Sequence, residues 1–241
     1  MRRVQPAAPD PISCPSPNHG PRRGGALPDM IILHYTAMAS AEAALERLCD
    51  PQAEVSAHYL IGADGRLWQM VPEASRAWHA GAGAWGACRD VNSRSIGIEL
   101  DNNGETPFAA AQMAVLERLL QEIMGRWRIP PERVLAHSDI APGRKCDPGP
   151  KFDWRRLACQ KLSVWPQSAS DRLVRADEDA GALLTLIGYT ADAPIEARLS
   201  AFRGRFRPAA AAAAGPPELA DLALMADLAH RYPVDGSSRS A

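Results

Sequence analysis

Residues 95–102 read SIGIELDN, and their alternation sets the reading of everything around them. Ile96, Ile98 and Leu100 share one face, while Ser95, Gly97, Glu99 and Asp101 share the other. A period of two marks a β-strand with one apolar face. Glu99 therefore projects from a face otherwise lined by small or polar residues. Upstream, DMIILHYT at 29–36 is a short Ile-rich apolar run, the pattern of a buried strand ending near His34. SAHYLIGADGRLWQMV at 56–71 predicts two strands joined at Ala63-Asp64-Gly65, a hairpin. SAEAALERLCD at 40–50 predicts a helix capped by Ser40 and stopped by Pro51. Downstream, residues 109–129 bring Met113, Leu116, Leu120, Ile123, Met124 and Trp127 near helical spacing and stop before Pro130-Pro131, a long amphipathic helix. RVLAH at 133–137 is a short strand with His137 at its end. Strands mixed with helices indicate an α/β or α+β layer fold built on one sheet.

The flanks differ in character. Residues 1–28 are rich in Pro, Gly and Arg and read as an extended arm. After Trp165-Pro166 the strand-like runs stop and helical patterns recur at about 178–188, 194–204 and 217–230, with the Ala run 209–214 and Gly215-Pro216-Pro217 as connector. Residues 166–241 thus read as a separate small all-α module behind a domain at 29–165, and the terminal DGSSRSA reads as disordered.

Composition narrows the function. With 46% hydrophobic residues in 241, the chain can bury a core, and 27 Lys+Arg against 28 Asp+Glu give no basic surface for nucleic acid or anionic membrane. No stretch approaches the roughly 20 apolar residues that span a bilayer. The five cysteines, Cys14, Cys49, Cys88, Cys146 and Cys159, are odd in number and show no CxxC spacing, which argues against a disulfide framework and fits a reducing compartment. The first 25 residues contain no apolar segment of a secretory signal, and Pro6, Pro9, Asp10 and Pro11 break any lipoprotein signal before Cys14. The expected location is the cytoplasm.

Three groups fall where strands meet loops: His34, His137 and, in the turn-rich AHSDIAPGRKCDPGP at 136–150, Asp147. Two imidazoles and a carboxylate suit a tetrahedral zinc with its fourth position open to water. A carboxylate beside such a site takes the water's proton, and Glu99 is the candidate base; Lys145 is the candidate cation for a developing oxyanion. Spacing alone leaves a second reading open, in which each His only hydrogen-bonds within the fold, because no HExxH is present.

LHYT at 33–36, AHYLI at 57–61, WHAG at 78–81, SIGIEL at 95–100 and the 136–150 loop resemble, in this order, motifs of the zinc-dependent N-acetylmuramoyl-L-alanine amidases of type 2, and within them the AmiD-like branch. The resemblance covers roughly residues 12–165. It implies an α/β fold with a mixed central sheet flanked by helices. It also implies Zn2+ held by His34, His137 and Asp147, with Glu99 and Lys145 as the catalytic pair. The substrate it implies is a muropeptide or peptidoglycan fragment, cut between the lactyl group of N-acetylmuramic acid and the L-Ala of the stem peptide. Together with the expected location, this points to anhydro-muropeptides in cell-wall recycling. The rival readings are a non-catalytic recognition protein, against which the intact ligand set counts, and an exported amidase acting on intact wall.

Tyr35, His79, Trp85, Arg89 and Asn92 are the substrate-contact candidates, with Trp85 either stacking on a sugar or filling the core. Members of the family commonly carry Arg two residues before the position of Asn92. Here Asp90 stands there and Arg89 one earlier, so a contact of that Arg with a stem-peptide carboxylate is expected to be shifted or lost. His58 is expected to be structural and Cys146 a spectator. The C-terminal helices resemble a three-helix peptidoglycan-binding domain, with AFRGRFRP at 201–208 as its motif; the competing expectation is a packing module.

Overall fold

A computed structural model of the chain describes residues 7–167 and 179–234. The strands are β1 (Ile12–Ser13), β2 (His19–Pro21), β3 (Met30–Tyr35), β4 (Tyr59–Ile61), β5 (Leu67–Gln69), β6 (Ser75–Ala77), β7 (Ser95–Leu100) and β8 (Val134–Ala136). The helices are α1 (Ala41–Cys49), α2 (Val91–Arg94), α3 (Ala110–Trp127), α4 (His137–Ile140), α5 (Trp154–Cys159), α6 (Ala180–Ile187), α7 (Ile195–Phe206) and α8 (Leu219–Arg231). Six strands form the central sheet in the order β1-β5-β4-β7-β3-β8, and β2 pairs with β6 apart from it. β3 runs parallel to β7 and β8, and the β4–β5 hairpin supplies the antiparallel pair.

The apolar run of β3 follows from its central place, because a parallel strand covered on both faces needs no alternation. Ile31 and Leu33 join Ile96, Ile98 and Leu100 of β7 under Leu116, Leu120 and Ile123 of α3. Met30 and Ile32 face the other way and pack with Leu135, Trp85, Leu184, Tyr189, Phe202 and Met225. Helix α1 begins at Ser40, whose hydroxyl accepts from the Ala43 N–H, and buries Ala44 and Leu48 against Leu60 and Trp68 of the hairpin. Among the described residues no helix is long and apolar enough to cross a membrane.

Two expectations about the flanks are corrected. Residues 7–28 are extended but built into the fold: β1 adds an edge strand beside β5, and β2 pairs with β6. Arg22 is buried and donates to the carbonyls of Glu73, Ser93 and Ser95, and burial lowers its pKa to about 10. The C-terminal helices are not a separate module either, since their apolar faces complete the Met30–Ile32 side of the sheet in one continuous core. Two arginines of the 201–208 motif, Arg203 and Arg205, point inward. Arg203 pairs with Asp221 at 2.7 Å, while Arg205 bonds Asp139 and the Val134 carbonyl and lies 4.2 Å over the Trp154 ring. The 235–241 tail lies outside the described residues.

Asp139 is the joint between the C-terminal helices and the sheet. Its carboxylate is fully buried and accepts from the Ala136 N–H (2.8 Å), from the Tyr189 hydroxyl (2.6 Å) and from Arg205. Removing one partner of a buried ion pair leaves an uncompensated charge. Asp139→Ala is therefore expected to lower stability by about 3–5 kcal/mol in urea unfolding; a loss near that of an exposed substitution would show that the joint carries little.

Candidate metal centre and catalytic cleft

His34 is the fifth residue of β3 and faces the same side as Met30 and Ile32. Glu99 is its register partner on β7, so the strand pairing itself sets the two side chains next to each other. β8 delivers His137 one residue beyond its end, as the first residue of α4. Asp147 returns from the loop after α4, where its carbonyl accepts from the Ser138 N–H at 3.1 Å. The three side chains converge: His34 Nδ1 to His137 Nδ1, His34 Nδ1 to Asp147 Oδ2 and His137 Nδ1 to Asp147 Oδ2 are each 3.0 Å. All three residues are buried, at 2%, 3% and 7% exposure.

Proton bookkeeping shows what that triangle contains. His137 Nε2 lies 3.1 Å from the Ala80 carbonyl, which only accepts, so Nε2 carries a proton and, in the neutral ring that a metal requires, Nδ1 is the bare lone pair. The Ser95 hydroxyl donates to the Val91 carbonyl at 2.6 Å and so accepts from His79 Nε2 at 3.2 Å. His79 Nδ1 is then bare and accepts from His34 Nε2 at 3.1 Å, which leaves His34 Nδ1 bare as well. Burial, followed by the neighbouring His137, lowers the His34 pKa to about 4, and burial next to His34 and His58 holds His79 well below its usual value, so both rings are neutral. Two bare nitrogens and an anionic oxygen thus face one another with no proton between them. They repel unless a cation lies among them. Their spacing is close to the edge of about 3.3 Å expected for a tetrahedron of ligands about 2.0 Å from zinc, and the donor set fits that ion. Among the described residues, these three form the group able to hold a metal ion.

A cleft of about 410 Å³ opens over the triangle. Glu99 Oε2 is buried there without a hydrogen-bond partner among the described residues. Burial, and then the charge of Asp147, raise the Glu99 carboxyl well above its ordinary value, with Lys145 acting in the opposite sense. Lys145 and Tyr35 line the same cleft, and the Tyr35 hydroxyl lies 3.1 Å from Cys146 Sγ.

The remaining substrate-contact expectations divide. His79 borders the cleft, but both its ring nitrogens are engaged by His34 and Ser95. Gly97 makes room for it, since a Cβ there would come within 2.5 Å of the His79 ring. Asn92 is buried and accepts from the His79 and Ala80 N–H groups, holding the loop that carries His79 and the Ala80 carbonyl. Trp85 is corrected to a core residue: it is 3% exposed, packs 5.1 Å from the Tyr189 ring and closes on Gly188, where a Cβ would meet it at 2.3 Å. Arg89 is likewise tied down, donating to the Gly86 carbonyl at 2.7 Å and to Thr190 at 3.3 Å. Asp90 caps α2, accepting from the Ser93 N–H, and pairs with Arg76 at 3.3 Å. The indole on the cleft is Trp78, and Arg47 of α1 joins it; sequence reading passed over both. The WHAG motif held the signal for Trp78, while nothing local distinguishes Arg47 from a solvated helix residue.

With this geometry established, comparison with known proteins is informative. A family model described as N-acetylmuramoyl-L-alanine amidase matches residues 24–150, more than half of the chain. The chain belongs to this amidase family. It is 39% identical over 209 residues to N-acetylmuramoyl-L-alanine amidase AmiD of Escherichia coli K12, covering 74% of this chain and 75% of the relative. It is 36% identical to 1,6-anhydro-N-acetylmuramyl-L-alanine amidase AmpD of Enterobacter cloacae, covering 59% of this chain and 86% of that one. A solved complex of E. coli AmiD with anhydro-N-acetylmuramic acid-L-Ala-D-gamma-Glu-L-Lys superposes with a TM-score of 0.75 at 35% identity, covering 88% of this chain and 91% of that chain.

The hydrogen-bond chain from Ser95 through His79 fixes which His34 nitrogen is bare. His79→Ala removes the acceptor for His34 Nε2–H, and loss of such outer partners costs roughly 10- to 100-fold in metal affinity. Competition with a chromophoric chelator measures it, and unchanged affinity would mean that strand β3 alone orients His34.

Proposed function

We propose that this family member is a zinc amidase that cleaves the bond between the lactyl group of N-acetylmuramic acid and L-Ala, acting on anhydro-muropeptide fragments. The observation that carries the reading is the orphaned, buried Glu99 Oε2 beside three converging bare donors. His34 Nδ1, His137 Nδ1 and Asp147 Oδ2 would hold the zinc. Zinc bound at such a site lowers the pKa of water and polarises a carbonyl. Glu99 accepts the proton of the attacking water and delivers it to the leaving amide nitrogen, a role suited to a carboxyl that burial pushes well above its ordinary value. Lys145, on the rim of the same cleft, supplies positive charge to the oxygen of the tetrahedral species. Tyr35 and Trp78 offer apolar and hydroxyl surface to the sugar, and Arg47 offers a partner to a stem-peptide carboxylate.

The preference for anhydro fragments is supported by the names of the AmpD relatives and by the ligand in the AmiD complex. A cytoplasmic site of action belongs to the same reading, since fragments, unlike intact wall, enter the cell. Fractionation beside a cytoplasmic marker checks it, and recovery with periplasmic markers would make intact wall the substrate.

The deciding experiment incubates the zinc-loaded protein with a defined anhydro-muropeptide and analyses products by mass spectrometry. Free stem peptide beginning with L-Ala is expected; an untouched substrate would overturn the proposal. Glu99→Gln should keep its zinc and lose roughly 10²- to 10⁴-fold in turnover. Asp147→Ala should instead lose the metal itself. Zinc loss from Glu99→Gln would reassign Glu99 as a ligand.

A further inference from the structure

We propose that Cys14 and Cys49 are a disulfide site, closed by thiol–disulfide exchange with a small disulfide oxidant such as oxidised glutathione. Their sulfurs are 3.8 Å apart although the residues lie 35 positions apart in sequence, and Cys49 Sγ is also 3.5 Å from the Cys14 carbonyl. Independent hydrogen bonds fix the backbone on both sides of the pair. The Cys14 N–H donates to the Gln69 carbonyl at 3.0 Å, which holds the segment after β1 against the hairpin. Cys49 ends α1, and that end is tied back to the same segment by the Ser16 hydroxyl on the Leu48 carbonyl (2.6 Å) and by Asn18 Nδ2 on the Asp50 carbonyl (2.8 Å). The close approach of the two thiols is thus imposed by the fold around them. Both are half-buried at the surface, within reach of a small oxidant. The other cysteines stand elsewhere: Cys88 is buried in the core under the C-terminal helices, Cys146 lies against Tyr35 at the cleft, and Cys159 is exposed at the end of α5.

The chemistry balances in two exchanges. The thiolate of one of the pair attacks one sulfur of glutathione disulfide, forming a mixed disulfide and expelling one glutathione thiolate. The other loses its proton and attacks the protein sulfur of that mixed disulfide, expelling the second glutathione, so two protein thiols are oxidised and one glutathione disulfide is reduced to two thiols. The closed bond encloses β3 with His34 and pins α1, which carries Ala44, Arg47 and Leu48 on the cleft, to the edge of the sheet.

The test oxidises the zinc-loaded full chain with glutathione disulfide, then alkylates it in denaturant and maps the peptides. The five alkylatable thiols of the reduced chain should become three, with Cys14 and Cys49 in one cross-linked peptide. The thermal midpoint should rise by roughly 5–10 °C and fall back with a reducing agent. Cys14→Ser and Cys49→Ser should each show neither the cross-link nor the rise. Five thiols persisting after oxidation, a lasting glutathione adduct on either residue, or a cross-link through Cys88, Cys146 or Cys159 would overturn the proposal. A midpoint unmoved by a formed bond would contradict the claim that the native fold already holds the pair in place.

Discussion

Three electron-pair donors held 3.0 Å apart, none carrying a proton toward the others, are the constraint around which the rest is arranged. Left to themselves, two imidazoles would rotate or share a proton with the carboxylate. They are prevented by bonds on their far sides. His137 spends its proton on the Ala80 carbonyl, and His34 spends its own on His79, which is itself fixed through Ser95 to the Val91 carbonyl. Each outer partner is secured in turn. Asn92 grips the backbone at His79 and Ala80, and the bare Cα of Gly97 leaves the space that His79 occupies. An electrostatically unfavourable cluster is therefore prepared in the fold for an ion to neutralise.

The same logic gives the C-terminal helices a place in the site without touching it. Helix α4 is a single short turn and has little stability of its own. Asp139 within it is clamped by Tyr189 from the segment after α6 and by Arg205 from α7, and its other contact is the N–H of Ala136, next to His137. The ligand's backbone is thereby anchored to a core that the C-terminal segment completes. This is packing in the service of position, and it explains why Arg205 of the 201–208 motif is buried.

Much of this was legible in the sequence because local periodicity carries it. The alternation of 95–100 gave both a strand and the face on which Glu99 stands, and the apolar run ending at His34 gave its neighbour. Their register as direct partners was not readable, since strand order depends on contacts distant in sequence. The C-terminal helices misled because an apolar helix face looks the same whether it covers a sister helix or a sheet. The N-terminal segment misled because Pro-rich extended chain has no period to read. Trp85 carries no local mark that tells core from cleft, whereas Trp78 stands in the WHAG motif beside His79. Cysteine number and spacing argued against a bond, yet the fold brings Cys14 to Cys49, and with it the sequence argument for a reducing compartment loses its force.

X-ray absorption at the zinc edge of the loaded protein measures the central claim directly, because it counts the atoms around the ion and separates sulfur from nitrogen and oxygen. The account predicts about four nitrogen and oxygen neighbours near 2.0 Å, with imidazole scattering from two rings. A sulfur neighbour near 2.3 Å, which would bring Cys146 into the centre in place of Asp147, or scattering from a single ring, would contradict it.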